Sequence, residues 1–359
     1  MKHSIWIVAP FVLALTACGG GAAFSPPPAS SGSELQSARQ AKHATSGQMV
    51  YVSNDTEGGS GPAEIDYWPV GATGNVAPSG FIGGPDTGLT YGVQGVVIDQ
   101  TGELYVANVI ANNILGFPAD SNGDVAPNVT ISGPATGLTE PVGLALDKSG
   151  NLYVVNCGST CTFPAQGPPS VEEFAAGSQG NVAPIKTIAG SHTGLVGPGA
   201  VALSATGQLF VVDPYGNRID VFSANAKGNI KPVRTITGPR TGLGQPEGIA
   251  LTTQGMYTQA YADADLKIFR ANAKGDAAPK RIIEGSHTRI EPYTEGISAG
   301  PNQSVFVVDR GTVFGGSPAP EILQFAATAK GNTAPLVDIA GSNTRLYIPL
   351  FAYVYPPAE

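Results

Sequence analysis

Apolar and polar positions along this chain fall into short runs with the two-residue rhythm of strands, and the runs recur. In 208–251, Leu209-Phe210-Val211-Val212 is an apolar, β-branched run that ends at Asp213. Arg218-Ile219-Asp220-Val221-Phe222 then alternates, Val233-Arg234-Thr235-Ile236 stops short of Gly238, and Gly248-Ile249-Ala250-Leu251 follows Pro246. The first run predicts a buried strand, the next two a hairpin with a long loop, and the last a small-residue strand suited to a crowded centre. Counterparts of the first run are Val50-Tyr51-Val52, Leu104-Tyr105-Val106, Leu152-Tyr153-Val154-Val155 and Val305-Phe306-Val307-Val308. No stretch of this region carries helical periodicity.

The turns between the runs keep strict register. An aromatic residue stands six positions before the glycine of a G-[ND]-x-x-P turn at Trp68, Phe117, Phe174, Phe222, Phe269 and Phe325. Thirteen positions after that glycine comes a threonine, at Thr87, Thr136, Thr193, Thr241, Thr288 and Thr344. Four strands per repeat of 47 to 57 residues, six times over, predict an all-β fold, a six-bladed β-propeller of four-stranded blades. The ordered part opens with a second-type strand at 50–53 and closes with a lone innermost-type strand, Phe351–Tyr355. Pairing of these complementary ends would complete the first blade and remove two free sheet edges. The fifth copy, Met256-Tyr257-Thr258-Gln259-Ala260, lacks the closing Asp or Asn and is expected to be the least regular blade.

The amino terminus is of another kind. Met1-Lys2-His3 is a basic start, Ile5 to Leu15 an apolar run too short to span a bilayer, and Leu15-Thr16-Ala17-Cys18 follows. The stretch 18–48 is rich in Gly, Ser, Ala and Pro and cannot bury enough surface to offset its ordering entropy, so it reads as a flexible tether. The expected organisation is a leader at 1–17, a tether at 18–48 and one propeller domain at 49–359. The formal net charge of −8 becomes −9 once Lys2 has left with the leader, which argues against nucleic acid or an anionic lipid surface as partner. Cys157 and Cys161, four apart in a chain that leaves the cytoplasm, suit a local disulfide better than a metal site.

Two resemblances follow from these residues. The Leu-Thr-Ala-Cys tetrad is similar to the lipobox of bacterial lipoproteins, which implies that Cys18 is diacylated and becomes the mature amino terminus. Gly19 after it implies the outer membrane of a bacterial envelope, with the membrane contacted through that lipid only. Pro141-Val142-Gly143-Leu144-Ala145, Asn151-Leu152-Tyr153-Val154-Val155-Asn156 and Asn217-Arg218-Ile219-Asp220-Val221-Phe222 resemble the NHL-type propeller repeat, over residues 49–355. That resemblance implies the fold and leaves the function open, because the architecture hosts enzymes, scaffolds and ligand sensors.

Candidate chemistry lies at one mouth of the expected channel. From the aromatic of the second strand to that of the third, the spacing is 12 in three copies but 17, 21 and 19 in the first, third and sixth, so three insertions rim one face. The starts of the innermost strands bring Gln94, Val142, Gly199, Glu247, Glu295 and Leu350 to that mouth. The calcium-dependent lactonases of the gluconolactonase and paraoxonase type are similar in fold and bind metal there, but Val142, Gly199 and Leu350 cannot ligate, so no metal or other cofactor is expected. Glu247 and Glu295 could equally be solvated rim acids. His192 and His287 share a repeat position with Arg240 in the loop before the Thr-Gly-Leu step, where any polar residue is accepted. Lyases of similar architecture use histidine, whereas plain exposed loop histidines would serve no chemistry. The segment from Asp120 to Asp124 begins like a calcium loop but has Ile131 at the twelfth position and aligns with the hairpin turn at Asn225–Asn229, so it is expected to be a turn and nothing more. The reading is a lipid-anchored binding protein without catalytic residues. Its possible ligand contacts are Gln94, His192, Arg240, Glu247, His287 and Glu295, and its ligand is a protein or an envelope carbohydrate. A lyase or lactonase working at the mouth is the alternative.

Overall fold

In the computed structural model, which describes residues 47–55, 63–158, 167–311 and 319–356, the strands form six four-stranded antiparallel sheets. Blade two runs from the inside outward as β4 (Val93–Ile98), β5 (Glu103–Asn108), β6 (Asn113–Pro118) and β7 (Val129–Ile131). Blade three is β8 (Pro141–Leu146), β9 (Leu152–Asn156), β10 (Ser170–Phe174) and β11 (Lys186–Ala189). Blade four is β12 (Ala200–Leu203), β13 (Leu209–Asp213), β14 (Arg218–Phe222) and β15 (Arg234–Ile236). Blade five is β16 (Ala250–Thr252), β17 (Gly255–Thr258), β18 (Asp265–Phe269) and β19 (Arg281–Glu284). Blade six is β20 (Thr294–Ala299), β21 (Val305–Asp309), β22 (Glu321–Phe325) and β23 (Val337–Ala340). Blade one combines β1 (Met49–Asp55), β2 (Glu64–Pro69) and β3 (Gly80–Gly83) with the last strand of the chain, β24 (Ile348–Tyr355), in the order β24-β1-β2-β3. The fold is thus the all-β six-bladed propeller that the repeats predict, closed by its C-terminal strand.

The repeated residues have identifiable work. The six third-strand aromatics from Trp68 to Phe325 are fully buried and pack between neighbouring blades. Each repeat threonine closes the turn after the outer strand: its Oγ1 donates to a glycine carbonyl three residues back at 2.6–2.7 Å and accepts an amide two residues on at 3.1–3.4 Å. That glycine, at Gly84, Gly133, Gly190, Gly238, Gly285 and Gly341, has φ between +115° and +132°, and an added Cβ would lie 2.4–2.8 Å from an Asn or Asp side chain of the next blade.

That Asn or Asp is the second residue of the G-[ND] turn, and here the expectation of a mere hairpin turn is corrected. Asn75, Asp124, Asn181, Asn229, Asp276 and Asn332 each accept a backbone N–H from the loop of the preceding blade, at 2.6–2.8 Å. The turn glycine itself pairs in parallel with an isoleucine of the preceding outer strand, as Gly123 does with Ile82 and Gly74 with Ile339. A turn that satisfies the exposed edge of its neighbour removes a free edge and locks blade to blade, which is why both its residues recur. The ring is therefore closed twice, by β24 on β1 at the channel and by Gly74 on Ile339 at the outer edge.

At the centre the innermost strands crowd one another. A Cβ on Gly248 would lie 2.4 Å from the carbonyl oxygen of Glu295, and one on Gly95 2.5 Å from that of Val142. Blade five is the exception expected from its sequence: β16 has three residues. Where the side chains of Asn108, Asn156, Asp213 and Asp309 accept the amides of Thr90, Thr139, Val196 and Glu291, the methyl of Ala260 offers no acceptor. A backbone bridge between Pro246 and Ala260 stands in its place.

Candidate functional site

The mouth at which the innermost strands begin is built by two rings of equivalent positions and a set of loop residues. The first is the expected one, with Gln94, Val142, Glu295 and Leu350 inside β4, β8, β20 and β24, and Gly199 and Glu247 just ahead of β12 and β16. The second is formed by the residue after the closing position of the second strand: Asp55, Val109, Cys157, Pro214, Tyr261 and Arg310. Loops entering the innermost strands supply the rest, including Tyr91, Glu140 and Tyr293.

Blades five and six bring the charged members together. Arg310 Nη1 lies 2.5 Å from Glu295 Oε1, and the two side chains are 16 % and 13 % exposed. Arg310 Nη2 donates to the Tyr261 hydroxyl at 2.6 Å. The guanidinium sits 5.4 Å from the Tyr261 ring centroid and 5.8 Å from that of Tyr293, the two rings meeting edge to face at 4.9 Å. Gln259, fully buried, spans from blade five to blade six, its Nε2 donating to the backbone carbonyls of Thr294 at 3.2 Å and Glu295 at 2.5 Å. Its Oε1 has no hydrogen-bond partner among the described residues.

Electrostatics couple this cluster to the rest of the mouth. Burial, then the neighbouring Glu295 charge, pushes the Glu247 carboxyl well above the usual carboxylate range, against the opposing pull of Arg310. Burial also raises Glu295, with Arg310 holding it back. For Arg310 burial disfavours the cation, but Glu295, Tyr261 and Glu247 outweigh it and the guanidinium is held above its ordinary value. Tyr215, between β13 and β14, is raised by burial and then by Glu247 and Glu140. Tyr91 is raised by burial and by Asp55, with Arg310 opposing. A single field therefore links residues of all six blades. It contains the Glu247 carboxyl, held above its ordinary range, near the Glu295–Arg310 ion pair.

Three further candidates lie at the outer ends of the loops entering the innermost strands. His192, Arg240 and His287 are exposed beyond the outer strands β11, β15 and β19, with their backbone amides held by Asn229, Asp276 and Asn332 of the next blade. Cys157 is buried immediately after β9, while Cys161 and Cys18 lie outside the described residues, as do the three insertions. No cluster of His, Cys, Asp and Glu suited to a metal occurs among the described residues. Arg310, Tyr261 and Tyr293 were missed in the sequence. A signal was present for the first two, which follow the second-strand closing position in blades six and five.

No protein-family model matches the chain, and no curated protein matches it either. Solved structures do. A protein of unknown function from Bacteroides caccae superposes with a TM-score of 0.57 at 10 % identity, over 86 % of this chain and 99 % of that one. A chain of a nidogen–laminin complex gives 0.55 at 12 % identity, over 86 % and 98 %. The WD40 β-propeller domain of Doa1 gives 0.51 at 12 % identity, over 81 % and 80 %. At these identities the likeness is one of fold, and it places the chain in the class of β-propellers.

Proposed function

We propose that this chain is a lipid-anchored, extracytoplasmic propeller of the NHL type that binds a protein or an envelope carbohydrate through the loops of its mouth face, without catalysis. One observation carries the reading. Tyr91, Ile110, Val196, Tyr293 and Tyr347 are large apolar side chains between 37 % and 51 % exposed, and all lie on loops of that face. Exposed aromatic side chains gathered around a polar floor are the composition of a recognition surface. The outer membrane, reached through lipid on Cys18, is the proposed location, and a Cys157–Cys161 disulfide is proposed to brace the third-blade insertion. Cys18→Ser should move the protein from the membrane to the soluble fraction, and unchanged partition would remove the anchor. Protection of both other cysteines from alkylation without reductant tests the disulfide.

The binding reading is tested by changing Tyr91, Tyr293 and Tyr347 together to Ser and, as a control, Val76, Val233 and Leu336, which lie in the turns between third and outer strands. Binding to immobilised envelope protein and glycan fractions should weaken at least about tenfold in the first variant only. Equal binding by both variants would end the proposal.

A lyase or lactonase at the mouth is the second reading, favoured by the Glu247 carboxyl, which burial and Glu295 shift upward toward proton-donor chemistry, near the Glu295–Arg310 pair. Turnover on lactone and glycan panels, abolished by Glu247→Gln, would establish it over non-catalytic binding.

A further inference from the structure

The connections between third and outer strands repeat one turn six times, yet their charges are not shared around the ring. In blades four, five and six these segments, 223–233, 270–280 and 326–336, carry Lys227, Lys231, Arg270, Lys274, Lys280 and Lys330, all exposed. Blades one to three have no Lys or Arg in the equivalent segments 69–79, 118–128 and 175–185. The residue before the turn glycine shows the contrast, with Lys227, Lys274 and Lys330 against Thr73, Asn122 and Gln179. None of these cations forms an ion pair or a side-chain hydrogen bond among the described residues, where the ion pairs belong to Lys186, Arg218, Lys267, Arg289, Arg310 and Arg345. The one acid in the three segments, Asp276, already accepts the Arg240 amide at 2.7 Å. Bridges from Gly228, Gly275 and Gly331 to Ile188, Ile236 and Ile283 of the preceding outer strands fix the backbone beside each of the three lysines.

Topology sets where this basic band lies. Successive strands of a blade are antiparallel and the innermost ones start at the mouth, so the third-to-outer connections arise at the end of the blades away from it. β1 also begins at that end, with Met49 opposite Tyr355, so the chain before residue 49 joins the ring on the side that carries the band. At the same end, blades two and three hold Asp99, Glu103, Asp120, Asp124 and Asp147 against Lys148 and the paired Lys186. This end of the ring has one basic half and one acidic half.

We propose that the edge of blades four to six away from the mouth rests on an anionic membrane surface and binds lipid phosphates through Lys227, Lys274, Lys330 and the cations beside them. Lysine is a compact, hydrated point charge, suited to a diffuse layer of phosphates more than to a single bidentate acceptor. The negative net charge of the chain argues against such a surface only if it is spread evenly, and it is not. A strand of six residues such as β4 spans about 20 Å at roughly 3.3 Å per residue, whereas fields at physiological salt are screened over about 8 Å. Acids at the mouth therefore have little effect at the opposite end. Because the chain before residue 49 enters from the basic side, an anchor on Cys18 and the basic edge would engage one surface and leave the mouth facing away from it. The electrostatic contact itself does not depend on the lipid.

The test is co-sedimentation of the chain from residue 19 onward, which holds all six blades but no Cys18, with vesicles of phosphatidylcholine and of an equimolar mixture of phosphatidylcholine and phosphatidylglycerol. Binding to the mixed vesicles at about 0.1 M salt is expected, with little to phosphatidylcholine alone, and it should be lost at about 1 M salt, where the screening length falls to about 3 Å. Lys227→Gln, Lys274→Gln and Lys330→Gln together should weaken it at least about tenfold, since each basic group near such a surface contributes about fivefold. Lys148→Gln, at the same end but in the acidic half, should change it less than about twofold. All four side chains are exposed, and an unchanged melting temperature is the check on folding. Equal binding to both kinds of vesicle, persistence at high salt, or undiminished binding by the triple variant would overturn the proposal. An effect of Lys148→Gln as large as that of the triple variant would overturn it too, by reducing the contact to overall charge. Binding of soluble dextran sulfate without binding of the mixed vesicles would assign the edge to an acidic polysaccharide and likewise overturn it. Any of these failures leaves the lipid anchor and the mouth as they stand, because the chain tested carries no lipid and the substituted residues lie away from the mouth.

Discussion

At the scale of single residues, two arginines show how the chain replaces glycine at a left-handed turn position. The residue after each repeat threonine is Gly in four copies, where Leu115, Glu172, Arg218 or Lys267 of the third strand fills the adjacent space. In the other two it is Arg289 and Arg345, at φ 64° and 63°, which reach back to acids of the third strand. Arg345 pairs with Glu64, approaches Asp66 at 3.7 Å and lies 4.0 Å over the Phe81 ring. Asp66 is fully buried, and burial followed by Glu64 raises its pKa from 3.8 to about 8, against Asn54 and Arg345. The folded state therefore holds a proton that the unfolded chain gives up near pH 4. The stability it contributes is present in full below that value and is lost as pH rises toward 8. Burial likewise raises Glu321 to about 7 and Asp309 to about 6, so the same sign applies in blade six. Thermal melts at pH 5, 6.5 and 8 should show a falling midpoint. Asp66→Asn, which keeps an acceptor for Asn54 and removes one titration, should flatten the slope by up to about 1.4 kcal/mol per pH unit and raise the midpoint at pH 8. A midpoint that climbs over this range would contradict the burial of these acids.

At the scale of the element, the unit that matters is the outer-edge clamp between a G-[ND] turn and the loop of the blade before it. In Gly238 and Asp276 the two halves are separable. Asp276→Ala removes one acceptor from the exposed Arg240 amide and should lower stability by about 1 kcal/mol. Gly238→Ala should do more, since φ is +127° and the new methyl would stand 2.6 Å from Asp276 Oδ1. The double variant relieves the contact but not the backbone strain, so it should remain less stable than Asp276→Ala alone. Urea unfolding of the three variants orders them; equal stability of the two single variants would mean that the blade edge yields to the methyl. Thr241→Val at the neighbouring turn strands the Leu243 amide and is expected to lower stability by about 1–2 kcal/mol in the same assay.

At the scale of the whole molecule, closure decides stability. β24 pairs with β1 from Met49↔Tyr355 to Asp55↔Ile348, buries Leu350, Ala352 and Val354, and reaches blade two through the Tyr353 hydroxyl on the Ile98 carbonyl at 3.3 Å. A chain ending at Thr344 keeps the outer link of Gly74 to Ile339 and of Asn75 to Asn343, so it should still collapse into blades. It would expose the edge of β1 and the Tyr51 side chain to the channel, and exposed edges associate. A strongly lowered melting midpoint with aggregation by light scattering is expected. Deleting the longer stretch Gly19–Ser46 should leave the midpoint nearly unchanged. A Thr344 truncation that melts with the full chain would show that the outer link alone suffices.

The sequence by itself determined the repeat count, the four strands of each blade, the closure by complementary ends and the irregular fifth blade. These are local matters: alternation sets which face a side chain takes, turn residues set where the chain reverses, and copies in register reinforce one another. It also placed Glu247 and Glu295 at one mouth, because both occupy an equivalent repeat position. Only the tertiary structure decided what those acids meet. Arg310 and Tyr261 lie in different blades, 49 residues apart in sequence, and converge because the ring brings the ends of separate second strands to one opening. The upward shift of Glu247 depends on burial and on a neighbouring carboxylate supplied by the next blade, and the role of each G-[ND] turn depends on an edge belonging to the blade before it. Interactions between repeats leave no period in the chain beyond that of the repeats themselves, so they appear only when the ring is closed.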